Sequence, residues 1–313
     1  MAMTQLVILP WLQVENANTV AGLTWGFPAI SHFLGYVHAL SRKLAISHGL
    51  SLEGCGVICH AHQVHAYSSG RDYQFALTRN PLTREGRTAS FNEEGRMHMT
   101  ISLLVECHGQ ITQGDAGRQA LEQHLTTLCQ TQKLAGGTIT AMRRAQIYSG
   151  AAQEKRWRSL CYRLMPGFAL VDRSTLLDDH FKRLKQQNSA TEMLDAWLDF
   201  ATLKMASQEE DGETTWQYLP APEAGYLVPL MTGWQRISPL YAAGSVANAR
   251  DDDTPFCFAE AVYGVGEWRS PHRISSIESL LWRYHTTESG YYCRGQVPDD
   301  EQLTEEPIIF DDI

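Results

Sequence analysis

The sequence predicts an α+β fold whose first half follows the order β-α-β-β-α-β, the ferredoxin-like arrangement. Two stretches, 30–44 and 117–133, repeat apolar residues at the three- and four-residue spacing of a helix that packs on a sheet. Each stretch lies between segments of strand type, and a hairpin with a long connection stands between the second strand and the second helix. The first half is therefore expected to be a sheet covered by two helices.

The first strand, 5–14, contains Pro10, which predicts a bulge or a strand end because proline cannot donate to a strand ladder. The polar turn WGFP (25–28) then leads into the first helix, and Pro28 suits the first helical turn, where no N–H partner is needed. Residues 54–65 follow as the second strand. The turn is expected to place free N–H groups and two aromatic rings at one sheet edge, where phosphate and base can both be held.

Segments 73–78 and 97–106 are predicted to be the two arms of a β-hairpin. The connection between them, 79–96, has eighteen residues and is rich in Asn, Pro, Gly and Arg. Loops of that length are uncommon within compact domains and are commonly functional or mobile. After the second helix, a Gly-Gly pair at 136–137 ends the helical pattern, and 138–148 returns as a strand.

The second half is less regular and combines helices with short strands. Its predicted elements are helices at 153–164 and 174–186, a strand at 168–171, a helix after the capping pair Ser189 and Glu192, an exposed acidic loop at 209–213, and a last helix at 277–284. We divide the chain into a first domain, 1–150, which includes the hairpin at about 71–104, and a second half, 151–313, which packs on it.

The composition is that of a soluble globular protein: 313 residues, of which 43% are hydrophobic and 19% charged. No apolar run approaches the length of about eighteen residues that a membrane helix needs, so no membrane partner is expected. The N-terminus lacks the basic-then-apolar pattern of a secretory signal, which indicates a cytoplasmic protein. The seven cysteines have no regular spacing and predict reduced core thiols.

The formal net charge of −9 argues against a nucleic-acid partner, but the charges are unevenly distributed. Eleven acidic residues lie in the run 209–213 and in a C-terminal tail that has no basic residue after Gly295. Without them the chain has 26 basic and 24 acidic residues, and 133–163 contains seven basic residues and one acidic residue. Arginine outnumbers lysine by 20 to 6, which favours phosphate and base recognition, although arginines also cover ordinary surfaces.

The chain has one metal-like segment and no familiar catalytic motif. Residues 55–65 contain two cysteines and three histidines, but strand alternation separates His60 and His62 from Cys59 and His65, and no second ligand pair exists elsewhere. We therefore predict no metal and no other cofactor. Phosphate-loop, zinc-protease and serine-hydrolase motifs are absent, so no catalytic residue is predicted. Metal-free RNA cleavage by a histidine such as His60 or His98 stays an alternative.

The strongest functional pattern combines arginine with aromatic residues and glycine. Arginines and an asparagine occupy the long hairpin connection, where they are suited to grip phosphates and to part the bases of a single strand. A plain solvated loop is the alternative. The candidate RNA-binding residues are Trp25, Phe27, Arg79, Asn80, Arg84, Arg87, Arg96, Arg143, Arg144, Arg250, His272 and Arg273.

Nine motifs, spread in order over nearly the whole chain, resemble one protein family. They are ILPWLQVENAN (8–18), LTWGFP (23–28), GYVHALSR (35–42), LTRNPLTREGRTA (77–89), EEGRMH (93–98), PGFALVDR (166–173), ISPLY (237–241), NARD (248–251) and GEWRSPHR (266–273). The family is that of the second Csy subunit of the type I-F CRISPR surveillance complex (Cascade), within the RAMP superfamily. Residues 146–164, 186–225 and the acidic tail match it poorly.

The resemblance implies an RNA-recognition-type (RAMP) core with an inserted thumb hairpin, and a non-catalytic role. Such a subunit binds the 5′ handle of the crRNA, pairs with the large Csy subunit, abuts the first backbone Csy subunit and meets target DNA through the assembled complex. The resemblance also implies that Trp25 and Phe27 stack on bases or brace the turn. Residues implied on the thumb are Arg79, Arg84 and Arg87, and those implied near the handle are Arg250, His272 and Arg273. Two alternatives stay open: an endoribonuclease that processes repeat RNA, and a protein adaptor that never touches RNA.

Overall fold

The computed structural model describes residues 5–70, 72–149, 154–210, 213–249 and 251–295. Arg250 and the acidic C-terminal tail lie outside these ranges. The elements of the first half are β1 (Gln5–Asn18), β2 (Val20–Ala21), β3 (Thr24–Trp25), α1 (Ile30–His48), β4 (Ser51–Val64), β5 (Ala66–Ser69), β6 (Asp72–Arg79), β7 (Phe91–Glu94), β8 (Arg96–His108), α2 (Gly114–Gln130), β9 (Lys133–Leu134), β10 (Gly137–Ala141) and β11 (Gln146–Ser149).

The second half continues with helices and short strands, as the sequence predicts. Its elements are α3 (Glu154–Arg163), β12 (Phe168–Asp172), α4 (Ser174–Gln187), α5 (Met193–Ala201), β13 (Met205–Glu210), β14 (Glu213–Tyr218), β15 (Leu227–Arg236), β16 (Ala259–Arg269), a 3-10 turn (Pro271–Arg273), β17 (Arg283–Thr286) and β18 (Gly290–Arg294). The predicted helices before residue 202 and the predicted strand at 168–171 are confirmed to within a few residues.

One large antiparallel sheet contains strands from both halves of the chain. Its order is β17-β18-β15-β16-β12-β4-β8-β1-β10-β9, and β11 also pairs with β1. Helices α1 and α2 pack on one face of this sheet and share its main hydrophobic core. The combination of helices with an antiparallel sheet confirms the predicted α+β class, whereas the division of the chain near residue 150 stays a prediction.

Strand β8 separates two environments, because successive strand residues point to opposite faces of a sheet. Its odd-numbered residues in 97–105 are buried in the main core with α1 and α2. On the other face, Leu104 packs in a second core with Trp157 and other residues of α3. The next residues on that face, outside both cores, are Ser102, Thr100 and His98. We call this uncovered side of β1, β4, β8 and β10 the open face.

Strands β5, β6 and β7 form a separate small sheet that leaves the body between β4 and β8. We call residues 66–94 the finger. The predicted pairing of 73–78 with 97–106 is wrong, because 97–106 belongs to β8 and pairs with β1 and β4. β6 pairs instead with β7, which lies inside the segment predicted as a loop. The buried side chains of β8 explain the difference, since only the main sheet can cover them.

Strands β13 and β14 form a two-stranded antiparallel sheet, residues 205–218, which we call the acidic hairpin. The prediction of an exposed loop at 209–213 is wrong in part, because Glu209 and Glu210 end β13 and Glu213 begins β14. Trp216 and Tyr218 alternate with polar residues, and an alternation of period two favours a strand over a loop.

Residues 277–284 form turns followed by the start of β17, so the predicted last helix is wrong. Ile277, Leu280 and Leu281 have helical spacing, but they are buried in the second core as the chain passes over it. Trp282 then exchanges backbone hydrogen bonds with Cys55 at 2.9 and 3.0 Å, which holds the chain extended at that point.

The predictions for Pro10 and for the cysteines are confirmed. The register of β1 against β8 shifts between Leu9 and Leu12, and Trp11 has a φ of 56°, so the strand bulges directly after Pro10. All seven cysteines are free, and six of them are buried. In the part of the chain that the structure describes, no helix is long and apolar enough to cross a membrane.

Candidate nucleic-acid interface

Trp25 lies where the finger meets the body of the protein. It ends β3, and its ring contacts the rings of Tyr73 and Phe75 on β6 at centroid distances of 5.4 Å each. The Trp25 side chain is 45% exposed, so part of the indole faces solvent. Trp25 therefore joins the finger to the body and still offers a surface on which a base can stack.

One face of the finger carries a row of aromatic and aliphatic side chains. Alternation along β6 places Tyr73, Phe75 and Leu77 on the same side as Arg79. The strand register sets Arg79 opposite Phe91, and its guanidinium carbon lies 3.9 Å from the centre of the Phe91 ring. Tyr73, Leu77 and Phe91 are each more than half exposed. An exposed row of this kind indicates a binding surface.

The tip of the finger is a loop, 80–90, that presents positive charge. The Thr83 N–H donates to the Arg87 carbonyl at 2.9 Å, and the Arg87 N–H donates to the Thr83 hydroxyl at 3.2 Å, which closes a turn. Asn80, Arg84 and Arg87 are all exposed. Within the described residues neither Arg84 nor Arg87 forms an ion pair, so both guanidinium groups are available to phosphate.

Arg96 anchors the finger to the body. Its guanidinium donates twice to one oxygen of Glu94, at 2.7 and 2.9 Å, and once to the Asn16 carbonyl at 3.3 Å. The backbone adds to this anchor, because the Arg96 carbonyl accepts a hydrogen bond from His65 at 2.8 Å. That Arg96 contacts RNA stays a prediction, and its guanidinium already forms an ion pair with Glu94.

On the open face, three side chains from distant parts of the chain form one stack. The Trp11 ring lies nearly parallel to the His60 ring, at a centroid distance of 4.0 Å and an angle of 8°. The Arg143 guanidinium carbon lies 4.3 Å from the centre of the Trp11 ring, and the Arg143 N–H donates to the Pro10 carbonyl at 3.0 Å. Arg143 is exposed, and a guanidinium supported in this way suits a base or a phosphate.

Both ring nitrogens of His60 are engaged. Nδ1 lies 2.6 Å from the Pro166 carbonyl oxygen, which can only accept, so Nδ1 carries the proton. Nε2 lies 2.7 Å from the Ser102 hydroxyl and accepts a hydrogen bond from it. Burial lowers the pKa of His60, the bond to Pro166 opposes that shift, and the charge of Arg143 adds to it. The ring is therefore neutral at neutral pH.

Further along the same strands, the open face forms a shallow groove of about 370 Å³. Its polar lining comes from β1, β4, β8 and β10 and includes Gln13, Glu15, Gln63, His98, Thr100 and Thr140. Side-chain donors and acceptors of this kind, next to stacked rings, are suited to the edges of unpaired bases.

Two predicted residues, Phe27 and Arg144, have side-chain contacts with other residues of the protein. Phe27 packs against Phe33 and Trp268, at centroid distances of 5.6 and 5.0 Å, so it braces the turn before α1. Arg144 donates to the Gln119 carbonyl of α2 at 2.7 Å. These contacts account for both side chains without a ligand, and their RNA contacts stay predictions.

The remaining predicted residues lie away from the finger in the chain. His272 and Arg273 are exposed on the 3-10 turn, which packs beside α3. Arg250 lies outside the described residues. The predicted residues thus fall into a finger group with Trp25, an open-face group with Arg143, and positions that the structure does not join to either.

The aromatic side chains that accompany the arginines were not predicted as binding residues. The alternation of Tyr73, Phe75 and Leu77 was visible as a period-two pattern and indicated a strand with one apolar face. Trp11 gave no such signal, because its contacts with His60 on β4 and with Arg143 in the connection between β10 and β11 exist only after the sheet has formed.

Comparison with known proteins places the chain among CRISPR-associated proteins. The family model described as "CRISPR-associated protein (Cas_Csy2)" matches residues 7–293, a range that includes the finger, the open face and the acidic hairpin. A relative from Pseudomonas aeruginosa (strain UCBPP-PA14), named "CRISPR-associated protein Csy2", is 39% identical over 309 residues. That match covers 92% of this chain and 94% of the relative.

Proposed function

The chain belongs to the Csy2 family of type I-F CRISPR-associated proteins, and from this premise we propose that it is a non-catalytic RNA-binding subunit of a crRNA-guided surveillance complex. In this proposal the protein holds the 5′ handle of the crRNA, pairs with the large Csy subunit and caps the filament of backbone Csy subunits. Target DNA is met through the assembled complex, where base pairing to the guide reads the sequence.

The order of four strands supports an RNA-recognition-type RAMP core. Strands β4-β8-β1-β10 are neighbours in that order, and along the chain they alternate with α1 and α2 as β-α-β-β-α-β. A ferredoxin-like core is expected to have this order, with both helices on the same face of the sheet, which supports the proposal. The finger is inserted between the second and third of these strands in chain order, where the proposal expects a thumb.

The observation that carries the proposal is the finger. Its tip presents Arg84 and Arg87 without ion pairs among the described residues, and one of its faces continues as exposed rings back to Trp25. Unpaired guanidinium groups bind phosphate, and exposed rings stack on unpaired bases. Single-stranded RNA supplies phosphates and unpaired bases together, whereas a solvated loop has no use for the apolar row.

The triple variant R79A/R84A/R87A tests this proposal in the complex assembled with crRNA. We expect crRNA affinity to fall on the order of 1,000-fold, because three charge-assisted hydrogen bonds of about 1.5 kcal/mol each are lost. The slope of log affinity against log salt concentration should also become less negative by about 2, since each phosphate contact on a single strand contributes about 0.7 to that slope. Filter binding of labelled crRNA at several salt concentrations measures both quantities.

A matched control removes the same number of charges from helices α1 and α4. The variant R42A/K43A/K182A changes three exposed basic residues and should retain crRNA as the wild type does. If the finger variant and this control bind crRNA equally well, the finger does not hold the guide, and the protein-adaptor alternative takes the place of the proposal.

The hydrogen bonds of His60 support the non-catalytic part of the proposal. With Nδ1 donating to Pro166 and Nε2 accepting from Ser102, neither nitrogen is left to move a proton of RNA. Incubation of the protein with repeat RNA in EDTA should give no specific cleavage. Cleavage that disappears in H60A or H98A would establish the endoribonuclease alternative instead.

A further inference from the structure

The acidic hairpin, 205–218, stands apart from the large sheet. Among the described residues its two strands pair only with each other. A two-stranded hairpin alone in water is at best marginally stable, so it needs a packing surface to be well ordered. The finger, by contrast, has a third strand and the Trp25 contact at its base.

One face of the acidic hairpin is apolar and exposed. The register pairs Met205 with Tyr218 and Ser207 with Trp216, and directly paired residues of antiparallel strands point to the same face. Met205, Trp216 and Tyr218 therefore share a face, on which Trp216 is 64% and Tyr218 68% exposed. Gln217 lies between the two aromatic residues and points to the opposite face.

The apolar surface continues at the base of the hairpin. Leu203 lies two residues before Met205 and is 87% exposed. The Leu219 N–H donates to the Lys204 carbonyl at 2.8 Å, one pair beyond Met205 and Tyr218, so Leu219 belongs to the opposite face. Helix α5 leads into the hairpin and exposes Leu194 and Leu198, which lie one helical turn apart. Large exposed apolar side chains thus recur from 194 to 219, which is more than scattered surface residues account for.

The charge of the acidic hairpin selects the class of partner. Its residues 205–218 include four acidic side chains, Glu209, Glu210, Asp211 and Glu213, and no lysine, arginine or histidine. Phosphates would be repelled here, which disfavours RNA and DNA. A protein surface with basic residues beside an apolar patch complements both features.

We propose that the apolar face of the acidic hairpin docks on a basic, partly apolar protein surface of another subunit of the same complex. This inference rests on the proposed function only in that the chain works as a subunit of a complex. Trp216 and Tyr218 are the anchors, since buried Trp and Tyr dominate the binding energy of most protein interfaces. The exposed Glu209 carboxylate adds complementary charge and speeds association.

The test uses the full-length chain and two purified probes, the large Csy subunit and the backbone Csy subunit, both free of RNA. We expect W216A/Y218A to weaken binding to one of the two probes at least about tenfold, as loss of a hot spot does. E209K should slow association with the same probe and should remove part of its salt dependence. Q217A changes the opposite face of the same strand and serves as the matched control with wild-type binding.

Each other outcome overturns the inference. Wild-type affinity of W216A/Y218A and E209K for both probes would show that the hairpin is not an interface between subunits. A change in self-association of the chain, or in crRNA affinity with protein binding intact, would assign the face to a second copy or to RNA. These binding assays contain no RNA. If the finger variants left crRNA affinity unchanged, the proposed RNA-binding function would fail, but this test of the acidic hairpin would still be valid.

Discussion

The finger and the acidic hairpin are both small antiparallel sheets with one exposed apolar face, and they differ mainly in charge. The finger places Arg79 against Phe91 and presents Arg84 and Arg87 at its tip, whereas the acidic hairpin has carboxylates and no basic residue. The apolar faces supply contact area in both cases, and the charge decides what each can bind. The finger as a whole has four basic and four acidic residues, but its segment 79–91 has three arginines and one glutamate, so the net charge of −9 conceals a basic finger tip beside an acidic hairpin.

Charge reversal on the finger is expected to have the largest effect. The variant R79E/R84E/R87E should lower crRNA affinity by more than about 1,000-fold, because the three attractive contacts of about 1.5 kcal/mol each are lost, as in the alanine variant, and repulsion is added. E209K on the acidic hairpin should leave crRNA affinity unchanged. Filter binding with the assembled complex measures both variants. Equal effects from the two variants would show that charge acts only through the protein as a whole and not through the finger.

Arginine in the body has a structural role that separates it from arginine in the finger. Arg283 of β17 makes a two-pronged ion pair with the buried Glu106 of β8, at 2.7 and 2.8 Å, and so ties the two halves of the chain together. R283A leaves a buried carboxylate unpaired and should lower the free energy of unfolding by about 3 kcal/mol. R84A, at the tip of the finger, should change it by no more than about 0.5 kcal/mol.

Urea unfolding of both variants measures this difference. E278A is the matched control, because Glu278 bonds the same guanidinium from an exposed position and should contribute less than about 1 kcal/mol. Similar midpoints for R283A and R84A would contradict a structural role for the Arg283 pair.

The open face should respond to acid, whereas the finger should not. Burial holds the pKa of His60 below its ordinary value. On acidification the His60 ring therefore stays neutral in the folded protein, whereas it takes up a proton in the unfolded chain. The stabilising contribution of the neutral ring is complete above about pH 6.5 and is lost as the pH falls below that value. Burial lowers the pKa of His32 in the same direction.

Thermal unfolding between about pH 7.5 and about pH 5.5 checks this small effect. H60Q keeps a side chain that can hydrogen-bond but does not titrate, so its stability should fall less on acidification than that of the wild type. R84A should follow the wild-type profile. A wild-type profile for H60Q would mean that folding does not lower the pKa of His60.

Short-range sequence patterns predicted those elements whose structure depends only on residues near them in the chain. The helices at 30–44 and 117–133 and the bulge after Pro10 are of this kind, because period and proline chemistry act within a few residues. Residues 277–284 show the limit. Their apolar spacing matches a helix, but pairing of Trp282 with Cys55, far away in the chain, holds that segment extended.

In the candidate site, too, some features could be predicted from neighbouring residues and others depend on segments that are distant in the chain. The arginines of the finger were predicted because they are neighbours in sequence, but the partner of 73–78 was not, because strand pairing is decided by the burial of β8 in the main core. The stack of His60, Trp11 and Arg143 exists only after the sheet has formed and has no local signature. The aromatic face of the acidic hairpin did have one, in the alternation of Trp216 and Tyr218, and the acidic run obscured it.

Crosslinking within the assembled complex tests whether the finger and Trp25 contact the 5′ handle of the crRNA. With photoreactive nucleotides in the 5′ handle of the crRNA, mass spectrometry should find adducts on the finger, within 79–91, and on Trp25 at its base. The acidic hairpin should carry none. Handle adducts confined to other subunits, or to parts of this chain remote from the finger, would contradict the account.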